Sequence, residues 1–348
     1  NTSAAEQVRE YLAHCGAPVL LVLVRIDLVH DVRIEDEILH LLDRCHNVNI
    51  VGDAELLEPL VDAPQRAQAD AFAPDGHQQA GEILALVSYP EYDPNVLSNG
   101  DDDDLIESYQ NDKRRPFLDR AVSGLYTPGS IVKPAIIAGA LTDGLIKPST
   151  TIVSTGSISI PNPYNPDKPT VFKDWKALGA LDARGAIAWS SDVYLYSVTG
   201  GYGGQKGLGI ERLKEWYETF GFTTPTGIEL SGEATGFVPS PAWKKETYDE
   251  EWSIGNTYHT GIGQYSMQIT PLEAIRAIAA IANGGKLITP TVVAGLPPQG
   301  ESIIVDRDAL QVVREGMRQG VTEGTSVGLN DLPYLRAAGK TGTAQLGF

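Results

Sequence analysis

The chain has 348 residues, 42% of them hydrophobic and 21% charged, enough to build one large core with a smaller module beside it. A formal net charge of -18, with no basic patch interleaved with aromatics, argues against a nucleic acid partner. Both cysteines, Cys15 and Cys45, lie near the start, so no disulfide framework holds the rest of the chain; a Cys15–Cys45 bridge and two free thiols are equally compatible with the sequence.

In chain order, Val19-Leu-Leu-Val-Leu-Val24 reads as a strand, Ile34, Ile38, Leu41 and Leu42 recur at helical spacing, and Val48-Asn-Ile-Val51 reads as a second strand. The first run is far shorter than the roughly 20 residues that cross a bilayer, and no basic, apolar, small-residue leader precedes it. Residues 65–82 have loop composition and mark a boundary between a module at 1–80 and a larger domain at 81–348. That domain opens on a buried strand, Glu82–Ser88. The run Asp101–Asp104 is expected to be a solvated loop, because successive carboxylates lack the alternating ligands of a calcium loop. Helices are expected near 130–143, 184–198, 210–220, 271–283 and 307–318, with Pro/Gly-rich connections at 156–170 and 225–245. The sum is an α+β chain. The six histidines show no metal-ligand spacing, and His14-Cys15 and Cys45-His46 lack a Cys-x-x-Cys partner, so neither a metal nor a cofactor is expected.

Three short segments carry chemistry: Ser130-Ile-Val-Lys133, Ser190-Ser-Asp192 and Lys340-Thr-Gly342. They stand in the order of a serine acyl-transfer site of the penicillin-recognising kind. A Ser-x-x-Lys spacing alone means little, since Ser130 after Pro128-Gly129 reads as well as a helix cap. Ser190-Ser191-Asp192 alone also reads as a capped helix start. Lys-Thr-Gly is scarcer, arising by accident in about one in twenty chains of this length. Together the three favour catalysis. Ser130 and Lys133 lie one helical turn apart on one face, so the amine can reach the hydroxyl and act as its base when neutral. Lys340 supplies a nearby positive charge, which lowers the pKa of a neighbouring amine and can hold an anionic group.

The match widens around these segments. Arg115 to Pro134, Phe172-Lys-Asp-Trp175, Trp189 to Tyr196, Gly261-Ile-Gly-Gln264, Thr270-Pro-Leu272 and Ala338 to Gln345 resemble the class B penicillin-binding proteins, and within them the elongation-specific D,D-transpeptidases. The resemblance implies the transpeptidase fold shared with serine β-lactamases, an antiparallel sheet flanked by helices. The first 80 residues faintly resemble part of the family's membrane-proximal pedestal.

The resemblance also implies roles. Ser130 would attack the D-alanyl-D-alanine carbonyl of a stem peptide, with Lys133 as general base and Ser190 and Lys340 relaying a proton to the leaving amine. The N–H groups of Ser130 and Thr343 would form the oxyanion hole. Thr341 and Thr343 would bind substrate, and Gly342 would let it approach the strand that Lys340–Thr343 forms in this family. Asp192, where many relatives carry Asn, only accepts hydrogen bonds when ionised and would favour a charged Lys133; it marks the elongation subgroup. Some members of that subgroup carry a structural zinc ahead of the second motif, but Lys173 to Trp189 contains neither Cys nor His, so no metal is expected.

Implied partners are peptidoglycan stem peptides, β-lactams and a membrane-embedded glycan polymerase of the shape, elongation, division and sporulation family. The implied location is the extracytoplasmic face of the plasma membrane, with an N-terminal anchoring helix that this chain does not contain. The family also places two strands and a closing helix after the Lys-Thr-Gly strand, and the chain stops at Phe348. A serine β-lactamase or D,D-carboxypeptidase, and a non-enzymatic β-lactam sensor or cell-wall scaffold, remain the alternatives. No Glu-x-x-Leu-Asn motif supplies the water-activating base of a class A lactamase.

Overall fold

A computed structural model describes residues 20–24, 81–100, 102–162, 165, 167–331 and 337–344. The expected elements at 34–42 and 48–51, both cysteines and the boundary loop up to residue 80 lie outside the described residues. The expected first strand is present as β1 (Leu20–Val24), antiparallel to β2 (Ile83–Ser88) with Leu20 opposite Ser88.

Two short helices follow, α1 (Pro94–Asn99) and α2 (Asp103–Asn111). From Asp102 onward the acidic run is therefore not a loop: Asp102 caps α2 by accepting the Leu105 N–H, and Asp103 and Asp104 occupy its first turn. Carboxylates suit a helix N-terminus, where free N–H groups and the helix dipole present positive charge.

A 3-10 turn (Gly129–Val132) leads into α3 (Lys133–Thr142), whose Pro134 sits where a missing N–H costs nothing. From Lys133 to Leu141 every residue of α3 is buried, as expected of a helix that is apolar on all sides. It forms the central element of the core.

The connection expected at 156–170 contains structure. The strands β3 (Ile152–Ser154), β4 (Ser157–Ile160), β5 (Thr170–Lys173) and β6 (Gly179–Leu181) pair as β3–β6 and β4–β5. Alternating Ser and Ile in β4 put Ile158 into the core while Ser159 faces out, a period-2 signal outweighed by the neighbouring prolines.

Next come α4 (Ala183–Ala188), α5 (Asp192–Thr199), α6 (Gly209–Thr219), α7 (Pro241–Tyr248), α8 (Ile254–Thr260) and α9 (Pro271–Ala282). The helix expected across 184–198 is thus two, and α7 and α8 fall where no helix is expected. A capping box, with Thr270 and Glu273 each bonding the other's backbone N–H, starts α9. The hairpin β7 (Lys286–Ile288) and β8 (Gly300–Ser302) precedes α10 (Arg307–Thr322) and a 3-10 turn (Val327–Asp331). Among the described residues the strands form four two-stranded antiparallel ladders.

Around α3 the core gathers Ile187 of α4, Leu195 and Val198 of α5, Leu213 and Trp216 of α6, and Leu310, Val313 and Met317 of α10. Each such side chain contributes about 1.5–3 kcal/mol on burial. Gly139 lets α6 pack closely, since a Cβ there would lie 2.5 Å from the Trp216 ring.

Candidate active site

Three separate parts of the fold converge on the hydroxyl of Ser190. Lys133 is the first residue of the core helix α3 and is completely buried. Its amine donates to the Ser190 carbonyl oxygen at 2.7 Å, to Asp192 Oδ1 at 2.6 Å and to Ser190 Oγ at 3.3 Å. Three acceptors match the three N–H groups of an ammonium, leaving neither a spare donor nor a lone pair. Burial lowers the Lys133 pKa from the usual lysine value, and the Asp192 carboxylate opposes that shift.

The one-turn spacing predicts a bond between Lys133 and Ser130 Oγ, and among the described residues none is present. The reason is electrostatic: a buried ammonium goes first to the carboxylate that offsets its desolvation. Ser130 itself is half-buried in the 3-10 turn, one turn before Lys133.

Ser190 stands in the break between α4 and α5. Its φ of 55° is left-handed, a conformation that a residue with a Cβ adopts only when its surroundings impose it. The N–H groups of Ser190 and Ser191 close the end of α4 on Ile187 O (3.2 Å) and Ala186 O (3.0 Å), and Ser191 then caps α5 by accepting the Tyr194 N–H. This reversal carries the side chain of Ser190 to a point 2.7 Å from the Lys340 amine and 3.3 Å from that of Lys133.

Lys340 is buried as well and also donates to the Thr341 carbonyl at 2.9 Å. Burial first, then the like charge of Lys133, hold its amine well below the ordinary lysine range, with Asp192 pulling the other way. The segment around it departs from the expected strand. Among the described residues, 337–344 pairs with no strand; α10 holds it through the Gly339 N–H to Met317 O (3.2 Å) and Arg318 Nη1 to Ala337 O (2.7 Å).

Two glycines let the first and third motifs meet. A Cβ on Gly129, whose φ is 57°, would lie 2.3 Å from Thr343 O, and one on Gly342 would lie 2.7 Å from Ile131 Cγ2. Gln264 Nε2 bonds the same Thr343 carbonyl at 3.3 Å. Among the described residues no partner occupies the N–H of Ser130 or of Thr343, and Thr343 is exposed. Every residue singled out in the sequence, Ser130, Lys133, Ser190, Asp192, Lys340, Thr341, Gly342 and Thr343, is thus on or beside one cluster.

Known proteins resemble this chain in sequence and in fold. Residues 77–347 match the penicillin binding protein transpeptidase domain. The chain belongs to that family. Over 280 residues it is 35% identical to the peptidoglycan D,D-transpeptidase MrdA of Haemophilus influenzae, covering 76% of this chain and 41% of that relative. The chain therefore spans about two fifths of the length of this curated relative. Penicillin-binding protein 2 of Helicobacter pylori superposes with a TM-score of 0.71 at 29% identity, over 92% of this chain and 55% of that one. A chain from a peptidoglycan synthase complex that coordinates polymerization and crosslinking gives a TM-score of 0.64 at 30% identity, over 76% and 44%.

Beyond this transpeptidase core, the geometry adds residues that sequence reading did not place in the site. Asp174 accepts hydrogen bonds from Ser154, Ser191, Val193 and Trp175, and Thr325 Oγ1 lies 2.9 Å from Thr341 Oγ1. Phe172-Lys-Asp-Trp175 is visible in the sequence as part of the family resemblance, but nothing in its spacing says what its carboxylate holds. Among the described residues no three His, Cys, Asp or Glu side chains are grouped to hold a metal ion. No helix among them is long and apolar enough to cross a membrane.

Proposed function

We propose that this chain carries the acyl-transfer site of an elongation-type peptidoglycan D,D-transpeptidase, working at the extracytoplasmic face of the bacterial membrane. The observation that carries the reading is the placement of Ser190 Oγ between two buried amines, Lys133 and Lys340, beside the turn that holds Ser130. Residues 81–348 form the catalytic unit in this reading, and 1–80 a pedestal-like module.

Ser130 is the nucleophile. When Lys133 is neutral it keeps two N–H donors and gains a lone pair one turn from Ser130, so it takes the hydroxyl proton as Oγ attacks the penultimate D-alanine carbonyl. The N–H groups of Ser130 and Thr343 receive the negative charge that develops on the carbonyl oxygen. Collapse of the tetrahedral species breaks the peptide bond, and Ser190, hydrogen-bonded by Lys340, delivers a proton to the departing D-alanine amine. An amine of a second stem peptide then attacks the ester and releases Ser130. A β-lactam follows the first half of this path and stays attached. Thr341, Gly342 and Thr343 line the substrate approach.

The implied partners are stem peptides ending in D-alanyl-D-alanine, β-lactams and a membrane-embedded glycan polymerase. The similarity to a chain of a complex coupling polymerization with crosslinking supports the last. The test is incubation with a donor peptide ending in D-alanyl-D-alanine and an amine acceptor. Release of D-alanine with formation of the acceptor amide is expected. Release with hydrolysis alone would indicate a carboxypeptidase, and no release would sink the assignment.

A further inference from the structure

Ser190 sits in a left-handed conformation that needs support, and its two chain neighbours are both tied to one dipeptide elsewhere in the fold. Asp174 and Trp175 directly follow β5. The Asp174 carboxylate is buried, and its Oδ2 accepts from Ser191 Oγ at 2.7 Å, Ser154 Oγ at 2.9 Å and the Val193 N–H at 3.2 Å. The Trp175 indole N–H donates to the Trp189 carbonyl at 2.9 Å. Residues 189 and 191, on either side of Ser190, are therefore gripped from the same side. The grip is itself anchored, because the Asp174 N–H bonds Gly156 O at 2.9 Å and Ser154 ends β3.

We propose that Asp174 and Trp175 are positioning residues, a clamp that holds Ser190 in the backbone conformation placing its hydroxyl between Lys133 and Lys340. The inference rests on the transpeptidase reading above. Neither residue is required to touch the reacting atoms. With the clamp loosened, residues 189–191 relax toward ordinary backbone angles, and Ser190 Oγ drifts from the two amines it bridges. Small displacements of that kind slow the chemical step while leaving substrate binding intact.

An asparagine at 174 keeps the shape, but its amide must point N–H groups at one of the N–H donors that the carboxylate satisfies. A phenylalanine at 175 keeps a ring and loses the donor to Trp189. The experiment measures penicillin acylation of the full chain by rapid kinetics, separating the dissociation constant of the first complex from the acylation rate constant. It compares the native chain with Asp174→Asn and Trp175→Phe, with thermal melting used to verify that each is folded at the assay temperature.

The clamp requires the acylation rate constant to fall about tenfold in Asp174→Asn and about threefold to fivefold in Trp175→Phe, with the dissociation constant within about twofold of native. Folded variants with native rate constants would overturn it. So would a change confined to the dissociation constant, which would make Trp175, 54% exposed, a substrate contact instead. If Asp174→Asn does not fold, Trp175→Phe decides by the same criteria. A native chain that is never acylated would bring down the transpeptidase reading and the clamp with it.

Discussion

Lys133 and Lys340 share one hydroxyl acceptor in a buried site, an arrangement that works against keeping both charged. Each amine is lowered from its free value of 10.5, so neutral Lys133 becomes available at lower pH than from a solvated lysine. The acylation rate should therefore rise with pH through a midpoint below 10.5. The charges facing Lys133 are Asp192, Asp174 and Lys340. Removing the carboxylate that raises its pKa, in Asp192→Asn, should move the acid limb to lower pH; profiles from about pH 5 to about 10 check the direction. Ser190→Ala leaves both lysines without their shared acceptor and should slow acylation by about 100-fold or more, measured at saturating penicillin.

At the scale of elements, the site depends on two turns that cross. Gly129 is pinched between Thr343 and Gly263: a Cβ at 129 would lie 2.3 Å from Thr343 O, and one at 263 would lie 2.2 Å from Gly129 O. Gly129→Ala should cost about 1–3 kcal/mol of stability and displace Ser130, seen as a lower melting temperature together with lost penicillin labelling. These junctions explain what was legible in the sequence. The three motifs declared themselves because their chemistry fixes residue type and spacing, and α6, α9 and α10 through long apolar periods, the last two with N-caps at Thr270 and Asp306. The split of the helix at 184–198 was only half visible: Ser190-Ser191-Asp192 reads as a helix cap, and Ser191 does cap α5, but the apolar residues on both sides suggested one continuous helix. The strands β4 and β5 were masked by the prolines around them. Asp174 was not legible as a hub, since a hydrogen-bond center is made by distant segments, Ser154 and Ser191 among them.

For the molecule as a whole, one apolar helix joins stability to function, because α3 lies at the center of the core and begins at Lys133. Leu310 of α10, completely buried in that core, is remote from the chemistry in role. Leu310→Ala should cost about 2–5 kcal/mol in denaturant unfolding while leaving the acylation rate per folded molecule near native. Burial thus does two things at once: it stabilises the fold and lowers the pKa of the amines in the site.

The most direct test of the central claim, that Ser130 is acylated through this cluster, is intact-mass labelling of the chain with a penicillin, followed over hours beside Ser130→Ala. One persistent adduct, mapped to Ser130 and absent from the folded variant, is the expected result. Equal labelling of Ser130→Ala, or a folded native chain that never gains the adduct, would contradict it.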